Sequence, residues 1–73
     1  MNRDILLLFG SHVRRLRKER HLSQEELAHI SGLHRTYIGM IERGEKNITI
    51  LNIEKIAKSL SIDLKNLMDF KNE

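Results

Sequence analysis

Leu22 to Gly44, LSQEELAHISGLHRTYIGMIERG, is the stretch whose reading decides the fold. Ser23 followed three residues later by Glu26 is a capping box, in which the serine hydroxyl accepts from the Glu26 amide while the glutamate reaches back. The helix it opens, Gln24 to Ser31, turns Leu27, Ala28 and Ile30 toward one side. Gly32 falls where the chain needs a left-handed or sharply turned backbone, which other residues resist. A second helix, Arg35 to Arg43 with Gly44 as its stop, faces Ile38 and Ile41 inward and leaves Arg35, Thr36, Gly39 and Met40 outward. Two short helices at a steep angle, the second offering polar side chains from its N-terminal end, form the layout that fits a DNA major groove.

Working outward, the spacing predicts a first helix from about Asp4 to Arg20, with Phe9, Val13 and Leu16 as its buried stripe. His21 stands where a helix-ending glycine is commoner. Asn47 to Thr49 reads as a loop, with Thr49 capping a fourth helix that buries Ile50, Ile53, Ile56, Ala57 and Leu60. After the turn Ser61-Ile62-Asp63, Asp63 is a good N-cap for a short fifth helix carrying Leu64 and Leu67. The expected fold is therefore all-α, a compact five-helix bundle in one domain over residues 1–73, with its core in 13–67. No linker, repeat or low-complexity segment interrupts it.

Composition agrees. Seventy-three residues make a domain near the size where one core is only just sufficient, and without cysteine neither disulfides nor thiolate metal sites can add stability. Proline is absent and glycine scarce, while Leu, Ile, Glu, Lys and Arg dominate, which favours helices. The net charge is only +3, but Arg14, Arg15, Arg17, Lys18 and Arg20 crowd one segment, and Arg35, Arg43 and Lys46 bracket the second helix of the pair. Such a face attracts phosphates, although charge alone fits a merely soluble surface equally well. The apolar run in MNRDILLLFG is too short to span a bilayer and lacks the flanks of a signal peptide, so a cytoplasmic location without membrane contact is expected.

Enzyme chemistry finds no support. His12, His21, His29 and His34 have no cysteine with which to complete a zinc site, so no metal is expected. There is no glycine-rich phosphate loop, no Ser/His/Asp set and no carboxylate pair in an evident pocket, and no cofactor is expected.

LRKERHLSQEELAHISGLHRTYIGMIERG, followed by IEKIAKSLSI, resembles the lambda-repressor and Cro-like helix-turn-helix family from about Val13 to Leu67. Within it, the Arg-Thr-Tyr-Ile start of the reading helix, its Ile-Glu-Arg-Gly end and the following Asn-Ile-Thr are most similar to controller proteins of bacterial restriction–modification systems. His21 and Ile48 depart from the family's commoner glycine and proline. The resemblance implies that Gln24 binds a backbone phosphate through its amide at the N-terminus of the second helix. It implies base reading by Arg35 and Thr36, with Tyr37, Gly39 and Met40 as further contacts. Arg35 can chelate guanine O6 and N7, and Thr36 offers a hydroxyl and a methyl suited to the thymine edge. Tyr37 could equally cap the core or touch a phosphate. His34 is expected at a phosphate or base, and Arg43 and Lys46 at phosphates. Arg17 and Glu42 match a family ion pair joining the first helix to the end of the third, a structural role in place of a DNA-reading one.

The expected partners are double-stranded DNA and a second copy of the chain. Apolar residues in the last third exceed what one core needs, so Ile48, Leu51, Leu64, Leu67 and Phe70 are expected at a homodimer interface, with the Ile5 to Leu8 segment as the other place for it. One short reading helix seldom discriminates enough base pairs alone. RNA polymerase is a further partner, since activation or repression depends on where the operator lies relative to it. Two other readings stand beside the controller: an antitoxin-type or phage-type repressor that also binds a protein, and a pure protein-docking module. The last calls for an apolar or acidic outer face on the third helix, where this sequence carries Arg35, Thr36, Arg43 and Lys46.

Overall fold

The computed structural model describes the backbone of residues 2–70 and the side chains of residues 5–70. The domain expected over 1–73 also takes in residues 1 and 71–73, which lie outside the described residues. Helix α1 (Asn2–Glu19) begins two residues earlier than the spacing predicted and buries Phe9 and Val13, with Leu16 packed beside them. Helices α2 (Gln24–Ser31), α3 (Arg35–Glu42), α4 (Ile50–Ser59) and α5 (Leu64–Leu67) follow, and the described residues contain no strand. The radius of gyration, 11.0 Å, matches the roughly 11 Å of a close-packed chain of this length. Leu27, Ile38, Ile41, Ile56, Leu60 and Leu67 are fully buried in the core.

Starts and stops follow local chemistry. Both halves of the Ser23–Glu26 capping box form, and the Thr49 hydroxyl accepts from the Asn52 amide. Asp63 occupies the N-cap of α5 without making a side-chain cap bond. Four helices end on a left-handed residue, His21 (φ 57°), Gly32 (φ 75°), Gly44 (φ 73°) and Ser61 (φ 58°). At each, the following amide reaches back to close the last turn: Leu22 to Arg17 O (3.2 Å), Leu33 to Ala28 O (3.0 Å), Glu45 to Met40 O (2.8 Å) and Ile62 to Ala57 O (3.0 Å). Leu22, Leu33 and Ile62 then fold onto the core, the usual apolar closure of this motif. Glu45 does not; it stays in solvent.

Three apolar placements differ from the spacing-based expectation. Ile50, read as part of the α4 core stripe, is 64% exposed, because the stripe runs past the point where neighbouring helices still reach it. Ile30 is 53% exposed for the same reason at the end of α2. Leu67, expected at a dimer interface, is fully buried and is withdrawn from that set. The segment after α4 folds back beneath α1, which turns Leu67 inward. Phe70 stands edge-on to Phe9 with ring centroids 5.9 Å apart, and the buried His12 lies against it. His12 donates from Nε2 to the Asn66 carbonyl (3.2 Å) and accepts at Nδ1 from the Arg15 guanidinium (2.8 Å), a role inside the fold.

Candidate nucleic-acid interface

The turn at Gly32 sets α3 across α2 and leaves its N-terminal end uncovered. His34 caps it, accepting at Nδ1 from the Thr36 amide (3.1 Å). That bond engages Nδ1 and leaves the rest of the exposed ring beside the helix terminus. Arg35 and Thr36 follow, both exposed, while Ile38 and Ile41 anchor the opposite face at 0% and 1% exposure. Met40 is half-buried. Tyr37 leans toward α4, where its hydroxyl accepts from the Asn52 amide group (3.0 Å), and the Lys46 ammonium lies 6.0 Å from the ring centroid. Tyr37 is thus positioned from both sides, by a partner in α4 and by the loop cation.

Behind the helix lies a sealed polar cluster. Arg17 grips Glu42 with two bonds, Nε to Oε2 at 2.6 Å and Nη2 to Oε1 at 2.9 Å, and the side chains are 8% and 1% exposed. Its third arm donates to the Leu22 carbonyl (2.7 Å), and the Gln24 amide donates to Glu42 Oε1 (3.0 Å). The hydrogen bond to Glu42 outweighs the desolvation of Arg17 and holds its guanidinium more firmly in the charged form. Among the described residues no buried side-chain nitrogen or oxygen lacks a partner. The cluster ties α1, the start of α2 and the end of α3 into one hydrogen-bonded unit.

The structure gives several of these residues partners within the fold. Gln24, expected to offer its amide to a phosphate, already gives one N–H to Glu42 and has only the remainder for DNA. Gly39, expected as an outward contact, is buried: a Cβ there would lie 3.2 Å from Arg43 Nη1 and 3.6 Å from Gln24 Oε1. Those two side chains cover it, and its part is to make room for them. Arg43 is exposed and forms an ion pair with Glu45 (Nε to Oε2 3.1 Å), a contact that favours its charged form. The basic crowd on α1 is partly engaged within the fold. Arg17 is buried, and Arg20 donates to Leu60 O (2.7 Å) and Leu16 O (3.0 Å), which ties α1 to the end of α4.

Sequence reasoning missed Asn52, Glu45 and the contact behind Gly10. A Cβ on Gly10 would strike the Ile41 carbonyl and lie 2.8 Å from Glu42 O, so α1 and α3 touch backbone to side-chain-free backbone there. An isolated glycine inside a helical pattern was the available signal. Among the described residues no three His, Asp or Glu side chains converge as a metal site, and no helix is long and apolar enough to cross a membrane.

A short helix presented by a tight turn, with arginine and threonine free at its N-terminal end and its rear face locked, defines a DNA-reading helix-turn-helix module. The helix-turn-helix family model matches residues 13–67, and the chain belongs to that family, a family of DNA-binding regulators of transcription and not of enzymes. It is 51% identical over 71 residues to control protein C.BamHI of Bacillus amyloliquefaciens, a match covering 96% of this chain and 88% of that one. The crystal structure of the restriction-modification controller protein C.AhdI from Aeromonas hydrophila is similar at 47% identity and a TM-score of 0.84, over 85% of this chain and 94% of that chain. SinR, a master regulator of biofilm formation whose structure was solved in complex with DNA, is similar at 32% identity and a TM-score of 0.79, over 84% and 98% of the two chains.

Proposed function

We propose that this chain is the controller of a restriction–modification system, a homodimer that binds a partly palindromic operator near its own promoter. The observation that carries the reading is the exposed Arg35–Thr36 end of α3, fixed from behind by the buried Arg17–Glu42 pair. Near full-length likeness to control proteins supports the biological assignment. Arg35 and Thr36 read base edges in the major groove; Tyr37 and Met40 line the same face, Tyr37 steadied by Asn52. His34 Nε2, the uncommitted part of the Gln24 amide, Arg43 and Lys46 hold phosphates. The whole chain acts as a single domain in the cytoplasm, and the operator's position relative to RNA polymerase decides activation or repression.

The second copy docks through α4 and α5. Leu51, Ile50, Met68 and Leu64 stand 68%, 64%, 41% and 39% exposed, apolar exposure of the kind that marks an association surface, alongside the half-buried Ile48 and Phe70. Two reading helices about 34 Å apart would then enter successive major grooves.

Selection of bound sequences from a random duplex pool tests both parts. It should enrich paired inverted half-sites. Arg35→Ala should then lose about 1–3 kcal/mol of discrimination between the enriched site and random duplex. Equal losses on both would demote Arg35 to a phosphate contact, and failure to enrich any site would remove the operator-binding reading.

A further inference from the structure

We propose that Glu45 is a built-in brake on DNA binding: its carboxylate occupies the Arg43 guanidinium in the free protein and must be displaced by a DNA phosphate. The inference rests on the DNA-binding reading above and adds a residue that opposes it.

Three features build the clasp. Gly44, left-handed at φ 73°, turns the chain so that Glu45 comes back alongside Arg43, with Nε and Oε2 3.1 Å apart. The Glu45 amide is pinned to Met40 O at 2.8 Å, so the carboxylate starts from a fixed backbone. Gly39 carries no Cβ and leaves the bed in which the Arg43 side chain lies across α3, beside Gln24 Oε1. At the three matching helix ends the equivalent residue is Leu22, Leu33 or Ile62, each folded onto the core. Only the turn after the recognition helix gives that position a carboxylate. Nothing in the local packing calls for it, since both partners are about half exposed (54% and 46%).

A carboxylate and a phosphate present similar oxygens to a guanidinium fork, so the two compete for Arg43. An exposed pair is weak and screened by salt, and the brake is accordingly modest. It lowers affinity for all duplexes alike, because Arg43 faces the backbone and not the bases. A regulator that must leave random DNA to find its site gains from such a restraint.

The test is a double-mutant cycle on a labelled random-sequence duplex at fixed low salt. Glu45→Gln should tighten binding about threefold to fivefold. In an Arg43→Ala background the same change should have little effect, because the group it competes for is gone. No gain, a loss, or an equal gain in both backgrounds would overturn the proposal; an equal gain would mean simple charge repulsion of the phosphates. A second reading needs no DNA: the Arg43 Nε–H resonance of the free protein should move on Glu45→Gln, and an unmoved resonance would also overturn the clasp. A wild-type protein that binds no duplex, with that resonance still responding, would locate the failure in the DNA-binding reading, and the brake would fall with it.

Discussion

The rear of the recognition helix and the outer surface of α4 and α5 treat their side chains in opposite ways. Behind α3, Arg17, Glu42 and Gln24 satisfy one another within 2.6–3.0 Å, and Gly10 lets two backbones meet. On α4 and α5, Ile50, Leu51, Leu64 and Met68 make no comparable set of contacts and stand in solvent. The first region uses directional bonds, which define one arrangement and lose much if a partner goes. The second offers only apolar area, which specifies little until another surface covers it. The difference teaches where specificity is held: the reading helix is pre-organised within one chain, whereas the spacing of two reading helices is left to association.

The largest expected effect lies in the rear cluster. Glu42→Ala should destabilise the fold by on the order of 3 kcal/mol in denaturant titration, because it strands a buried guanidinium and the Gln24 amide together. Arg17→Met combined with Glu42→Leu should recover part of that loss, since no charge is then left unpaired. A loss for Glu42→Ala below about 1 kcal/mol would mean that water reaches the cluster, and the contrast would collapse.

Gly10→Ala is the next test. In an open helix interior this change gains up to about 1 kcal/mol. Here the added methyl meets carbonyl groups of α3, and a loss of about 2 kcal/mol is expected, with weaker binding to all DNA as α3 shifts. A stabilised variant would show that the two helices can part without consequence.

Leu51→Glu should have the smallest effect on the monomer, within about 0.5 kcal/mol of unfolding free energy, because that side chain is mostly exposed. Sedimentation should nevertheless show a monomer in place of the proposed dimer, with weakened operator binding. If the variant remains dimeric, the contact lies on Ile5 and Leu7 of α1, the other exposed apolar pair.

Much of this is legible in the sequence. The Ser23–Glu26 box, the Thr49 cap, the turn at Gly32 and the inward Ile38 and Ile41 all rest on relations within four residues, which helical geometry alone enforces. Even the odd His21 could be seen standing where glycine is usual, and it does adopt the left-handed backbone. The Arg17–Glu42 pair was legible in another way, through likeness to relatives, since nothing local connects residues 25 apart.

What the sequence determined by itself was the menu of helices, their caps and which face of each is apolar, because those depend on short-range spacing and backbone sterics. Tertiary structure alone decided how far each apolar face is covered. Ile50 and Leu67 exchanged their expected places because periodicity points a side chain in a direction but cannot say where the neighbouring helix ends. It also decided which polar groups remain free for DNA. Gln24 was partly taken by Glu42 and Arg20 by the Leu60 carbonyl, since a hydrogen bond goes to whichever partner folding brings within 3 Å or so, however distant in the chain.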